Sequence, residues 1–177
     1  VSPANQMLAI DYGAGRAVSS EDSPNLIIVC VPPDVTAAVV ARELEAHPEA
    51  FVTDVASVKS AILEQLRQNG SDLSRYVGSH PMAGRERGGA ASGRADLFFG
   101  RVWVVVPSET SSAKARQAVE NLALDLSSAP VEASAAEHDR AVAFVSHVPQ
   151  LISSITAASL IDAVVRSARM GEWVVPL

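Results

Sequence analysis

The sequence predicts an α/β fold, a parallel sheet covered by helices, followed by an all-helical unit. Three observations carry that prediction. Short, continuously apolar runs end at prolines or polar turn residues, as strands buried on both faces do. Segments with helical spacing alternate with them, which is the order of a layered sheet. From about residue 134 the apolar period changes and no clear strand remains, dividing the chain into residues 1–134 and 135–177.

Residues 1–24 are mixed: Ala4 to Ala9 suits a helix, and Gly13 and Gly15 interrupt it. Asn25 to Val31 reads as the first buried strand, stopped by Pro32-Pro33. Asp34 then suits a helix cap, with Val35, Val39, Val40 and Leu44 along one face of a helix reaching Glu45. Phe51 to Val55 is a second strand. Ser57 to Gln68 comes next as a helix, with Val58, Ile62 and Leu66 on one face and Gly70 just past its end. Tyr76 to Gly78 is a third strand, leading into Ser79-His80-Pro81, and the glycine-rich stretch Met82 to Gly93 excludes a regular core element. Arg101 to Val106 is a fourth strand and Ser112 to Leu126 a further helix, while Glu137 to Phe144 and Leu151 to Val165 are the helices of the second unit.

The 177 residues, 48% of them hydrophobic, suffice for one full core or two small ones. A net charge of −6 without any Lys/Arg block argues against a nucleic-acid partner. The longest apolar runs are too short to span a bilayer, and no secretory signal is read. Cys30, the only cysteine, reads as a small buried packing residue, which excludes an internal disulfide and a CxxC zinc site and makes a reducing cytoplasm the expected compartment. Gly13 and Gly15 are not a dinucleotide fingerprint, because a third glycine and a preceding strand are lacking.

Three segments bear chemistry: Asp54 to Lys59, Ser79 to Gly84 and Ser146 to Pro149. The first two come after predicted strands, at the carboxyl edge where open α/β sheets bind ligands. Ser57, at a helix start, lies where free backbone N–H groups favour anions. His80 suits either a satisfied loop histidine or a proton acceptor, and its place between a strand and a proline favours the acceptor. His138 and His147, nine apart, would be turned about 180° on one helix and so cannot share a metal. Arg140, Phe144 and His147 share a face, and Pro149 ends that helix near His147; a buried histidine bonded to backbone is the alternative for His147. Read alone, Lys59 suits a solvated first-turn lysine, and Arg85, Glu86 and Arg87 a solvated loop tip.

The runs VCVPPDVTAAVV, TDVASVK, VGSHPMAGRERGGA with ADLFFGRVWVVVP, and EHDRAVAFVSHVPQL resemble prephenate dehydrogenase, in its actinobacterial branch, in order and spacing. The resemblance covers roughly residues 24 to 158. It implies a Rossmann-type cofactor domain followed by a helical domain that forms a homodimer and closes the site. It further implies NAD or NADP as cofactor, prephenate as substrate, and its oxidative decarboxylation to 4-hydroxyphenylpyruvate in tyrosine biosynthesis. His80 matches the family's catalytic histidine and Ser57 the serine that orients it. Lys59, Glu86 and His147 match residues of the substrate pocket, Glu86 as an acidic gate. Val31, Pro32 and Asp54 are expected along the nicotinamide.

The family's GxGxxG and its ribose-binding acidic residue have no counterpart here. Residues 1–17 resemble the segment after the family's second strand, so the phosphate-binding unit is expected to be missing from these 177 residues. The family's carboxylate-binding arginine has no assigned match, with Arg166 and Arg169 as candidates. An arogenate or other β-hydroxyacid-type dehydrogenase is the alternative within enzymes, distinguished by assay on each substrate. A dimerisation or interaction module without cofactor is the alternative outside them, distinguished by cofactor binding.

Overall fold

The computed structural model describes residues 3–19, 21–84, 93–144, 152–159 and 161. The chain divides into two compact units, Val1–His138 and Asp139–Leu177. The first unit opens with helix α1 (Pro3–Asp11).

Strand β1 (Leu26–Val29) lies parallel to β2 (Phe51–Asp54), Leu26 opposite Phe51 and Val29 opposite Asp54. Between them runs α2 (Pro33–Ala46), with Pro32 as its cap residue and Pro33 in its first turn, where a missing N–H costs nothing. Asp34 therefore lies inside the first turn rather than capping it, and its charge suits that end of the helix dipole. The inward face is Thr36, Ala37, Val40 and Leu44, whereas Val35, expected inside, is 43% exposed. Thr36 can be buried because its hydroxyl donates to Pro32 O at 3.0 Å. At the other end of α2, the Arg75 guanidinium donates to Leu44 O at 2.7 Å and to His47 O and Ala50 O at 2.8 Å. It thereby satisfies carbonyls that a helix C-terminus leaves open.

Helix α3 (Ser60–Gln68) begins at Ser60 with Lys59 as cap, so Ser57 lies in the preceding loop and not at a helix start. Ile62, Leu63 and Leu66 face inward, and Gly70 turns the chain at φ 69°. A short 3-10 turn (Leu73–Arg75) leads through Tyr76, which bridges in parallel to Val52 of β2, into β3 (Val77–Pro81).

Strand β4 (Val102–Pro107) is antiparallel to β3, with His80 opposite Val104, and β5 (Ala129–Glu132) is parallel to β4. Among the described strands, the parallel order expected of the sheet holds for β1 with β2 and for β4 with β5, and is interrupted once, between β3 and β4. The apolar content of β4 marks it as buried but carries no direction. Between β4 and β5 lies α4 (Ala113–Asp125), where the Ser112 hydroxyl accepts from Ala115 N at 3.2 Å. β5 escapes the hydrophobic pattern because it is four residues long, contains Pro130 and pairs with β4 alone among the described strands. Helix α5 (Ala135–Val142) comes next, and the division between the two compact units falls inside it.

Two apolar clusters fill the first unit. One gathers Val40, Val52, Ile62, Leu66 and Tyr76 beneath α2 and α3, the other Val77, Trp103, Val105, Val119 and Ala123 beneath α4. Cys30 is exposed rather than buried, since β1 has only β2 as a described neighbour. Partial burial and the nearby Asp54 charge nonetheless raise its thiol pKa. In the second unit residues 152–159 are helical, with Ile152 and Ile155 exposed. Among the described residues no helix is long and apolar enough to cross a membrane.

Leu66 is 0% exposed and Leu124, on α4, is 56% exposed. Leu66→Ala should cost about 2–5 kcal/mol in urea unfolding. Leu124→Ala should stay within about 0.5 kcal/mol of the parent. Equal losses at the two positions would contradict this core.

Candidate active site

The carboxyl ends of β2 and β3 are joined by buried charge. Asp54 is 0% and Lys59 2% exposed. Burying such ions costs several kcal/mol each unless they are paired and hydrogen-bonded. Here they are both. The Lys59 ammonium donates to Asp54 Oδ1, which also accepts from Ala56 N at 2.9 Å. Tyr76 donates its phenol to Asp54 Oδ2 at 2.7 Å, and Lys59 Nζ donates to Ser79 O at 2.8 Å. The Ser79 hydroxyl donates to Asp54 O at 2.9 Å and accepts from Thr53 Oγ1 at 3.1 Å. Burial first, and then the charge of Asp54, push the Tyr76 phenol well above its ordinary pKa, so it remains a donor. Gly78 makes room for this clasp: a Cβ there would lie 3.1 Å from the Tyr76 hydroxyl and 3.3 Å from Lys59 Cδ. Lys59 is thus an inward-facing tie between strands, not the solvated first-turn lysine that its position suggests.

His80 is the next residue after Ser79. It sits half-buried within β3 itself, not in a loop beyond it. Its Nδ1 lies 2.9 Å from His138 Nε2, with the two rings edge to face at 72°. His138 comes from α5 and is 2% exposed. No third His, Cys, Asp or Glu makes a metal-ligand set with this pair among the described residues.

The other sequence-predicted residues are spread over several elements. Ser57 is half-buried in the loop after β2, and the parallel bridge of Val52 with Tyr76 makes that loop and the end of β3 leave the sheet at one edge. Val31 is half-buried and Pro32 exposed, both at the junction of β1 and α2. Asp54 lies fully inside the clasp, its two oxygens engaged by Ala56, Lys59 and Tyr76. Glu86, His147, Arg166 and Arg169 lie outside the described residues. A pocket of about 470 Å3 opens two residues past His80, lined by Met82, Ala83 and Gly84 and by Arg94, Leu97, Phe99 and Arg101. Neither His80 nor Ser57 lines it, and Arg94 is already paired with Asp96.

Sequence reasoning weighs His138 only as a metal ligand and passes over Tyr76. Neither has a local signal. His138 meets His80 across 58 positions of chain, and Tyr76 meets Asp54 across 22. His138 stands among charged neighbours, Glu137, Asp139 and Arg140, and Tyr76 directly follows Arg75, so neither stands out along the chain.

Residues 2–131 match the family model described as the nucleotide-binding domain of prephenate dehydrogenase. A probable prephenate dehydrogenase of Streptomyces niveus, NovF, is 36% identical over 162 residues, which are 92% of this chain and 45% of that protein. The crystal structure of an Aquifex aeolicus prephenate dehydrogenase in complex with hydroxyphenyl propionate and NAD+ superposes with a TM-score of 0.81 at 24% identity, covering 91% of this chain and 58% of that one. An arogenate dehydrogenase of Synechocystis superposes with a TM-score of 0.74 at 28% identity, covering 92% of this chain and 58% of that one. The chain spans less than half the length of the curated relatives it matches.

Tyr76→Phe removes one donor from the buried Asp54 carboxylate and should cost about 1–3 kcal/mol in urea unfolding at pH 7. Because the folded-state phenol pKa is raised, its contribution is complete below the unfolded value near 10 and declines as pH rises past it. The gap between parent and variant should therefore narrow at about pH 10.5. A gap that widens there would refute the arrangement.

Proposed function

The chain belongs to the prephenate dehydrogenase nucleotide-binding domain family, and from that premise we propose that it works in the NAD- or NADP-dependent oxidative decarboxylation of prephenate to 4-hydroxyphenylpyruvate. The observation that carries the reading is His80: a half-buried imidazole, fixed in a strand and by a second ring, at the sheet edge where the loop after β2 also emerges.

The described residues suit the nicotinamide end of such a cofactor. Val31 and Pro32 form a rigid apolar step, and a proline as cap residue and another in the first turn withhold N–H donors from the start of α2. That helix start therefore offers a ring surface and not a phosphate cradle, and no described glycine-rich turn joins a strand to a helix to supply one. A nicotinamide, when bound, supplies the acceptor for the hydride leaving C4 of prephenate. His80 takes the proton of the 4-hydroxyl as that carbon is oxidised, and returns it to the oxygen once CO2 leaves and the ring becomes aromatic. Ser57 holds the same hydroxyl from the neighbouring loop. Asp54 and Lys59 act behind the site, since their charges are spent on each other and on β3. Glu86 and His147 are assigned to recognising prephenate in this reading, and Arg166 or Arg169 to one of its carboxylates.

Residues 135–177 are read as part of a helical domain that pairs two copies in the cytoplasm. The exposure of Ile152 and Ile155, both 58%, supports a covered face there. Arogenate is the second reading for the substrate, favoured by the 28% identity to the Synechocystis enzyme. Turnover of prephenate and arogenate side by side separates the two.

In the intact protein, His80→Asn should lower kcat on prephenate by about 10²–10⁴ with KM changed much less. Near-parental turnover would sink the assignment. Sedimentation of a polypeptide holding the whole helical domain should give a dimer at micromolar concentration, and a monomer would count against the pairing.

A further inference from the structure

We propose that His138 is a positioning residue for the base: it holds His80 in the tautomer that carries its proton on Nδ1 and its lone pair on Nε2. This rests on the reading of His80 as the group that takes the hydroxyl proton. The Nδ1 to Nε2 distance of 2.9 Å is a hydrogen bond between two rings, and the neutral pair can place only one proton on that line. Two arrangements satisfy it. If His138 donates, His80 Nε2 carries a hydrogen and cannot accept one. If His80 donates, its Nε2 is a base, and His138 Nε2 is the acceptor that keeps it so.

Several features favour the second arrangement as the working one. His138 is 2% exposed, against a half-buried His80, so the proton-accepting nitrogen belongs to the ring nearer solvent. The backbone of His138 is fixed in α5, with its N–H donating to Ser134 O at 2.9 Å. The rings meet edge to face, centroids 5.1 Å apart, so the contact between them is the nitrogen-to-nitrogen hydrogen bond and not a stack of ring faces. On protonation at Nε2, His80 keeps the same Nδ1–H bond, so no group moves as the charge appears. This is the role of the third member in nucleophile–base–orienter triads, performed by a neutral imidazole instead of a carboxylate. A neutral orienter adds no opposite charge, and its effect is expected on tautomer and direction rather than on ground-state binding.

Nitrogen-15 spectra of the intact protein labelled at histidine, assigned with His80→Asn, read the tautomer directly. His80 should appear as Nδ1–H in the parent and lose that preference in His138→Leu. That variant should lose about 10²–10³ in kcat with KM little changed, and His138→Gln, whose amide oxygen can accept from Nδ1–H, should recover part of the loss. A parent His80 protonated on Nε2 would overturn the proposal, and it needs no variant to fold. So would parental turnover in His138→Leu, or equal losses in both variants with the His80 tautomer unchanged. Undiminished turnover in His80→Asn is a separate result: it removes the reaction reading, whatever the tautomer.

Discussion

The arrangement of the first unit depends on one buried ion pair. Among the described residues the ladder between β2 and the β3 segment is one bridge, Val52 with Tyr76 just ahead of β3, so the ladder alone does little to tie the two pieces of sheet together. Lys59 and Asp54 do so, with Tyr76, Ser79 and Thr53 meeting the remaining hydrogen-bonding capacity. A pair of this kind is a poor source of net stability, because desolvation offsets most of the attraction. Its value here is selectivity of geometry. An ammonium that must satisfy both a carboxylate on β2 and a carbonyl on β3 permits only one relative placement of those strands. The carbonyl belongs to Ser79, and the peptide that carries it also carries the nitrogen of His80. Register between the strands therefore becomes the placement of His80.

Much of the fold was legible because hydrophobic period reports burial. The strands at Leu26, Phe51, Val77 and Val102 and the helices between them all track apolar runs or stripes. What the period does not report is direction. β4 looks the same from either end, so its reversal against β3 is decided by the whole sheet, and β5 with Pro130 hardly registers as apolar at all. Val35 and Thr36 exchanged roles for a related reason: a threonine that bonds its hydroxyl back to Pro32 behaves as an apolar residue, and hydropathy alone cannot see the bond.

The candidate site was legible in its parts and not in its connections. His80, Ser57, Lys59 and Asp54 could be picked out from motif and position. That Lys59 points inward, and that both oxygens of Asp54 accept hydrogen bonds inside the fold, involves Tyr76, which no spacing ties to either. His138 belongs to an amphipathic helix in which a lone histidine carries no signal. Its meeting with His80 needs the turn after β5 and the first turn of α5 to bring it back to β3. Long-range polar pairs are where reading along the chain runs out, since each partner is informative only beside the other.

The reversal at β4 makes β3 and β4 an antiparallel hairpin whose connection, residues 82–101, springs from the same end of the ladder as His80. In a parallel sheet the connection would have to cross the whole layer and pack against it. In a hairpin it leaves and returns at the end of the ladder that carries His80, held at its return by Phe98, which packs on Trp103 and accepts from the Ser128 hydroxyl. Such a division of labour suits divergence: the part of the connection before Phe98 can change while His80, its partner ring and the clasp stay untouched. A scaffold built this way can vary where the chain projects furthest from its ladder and keep its buried charges as they are.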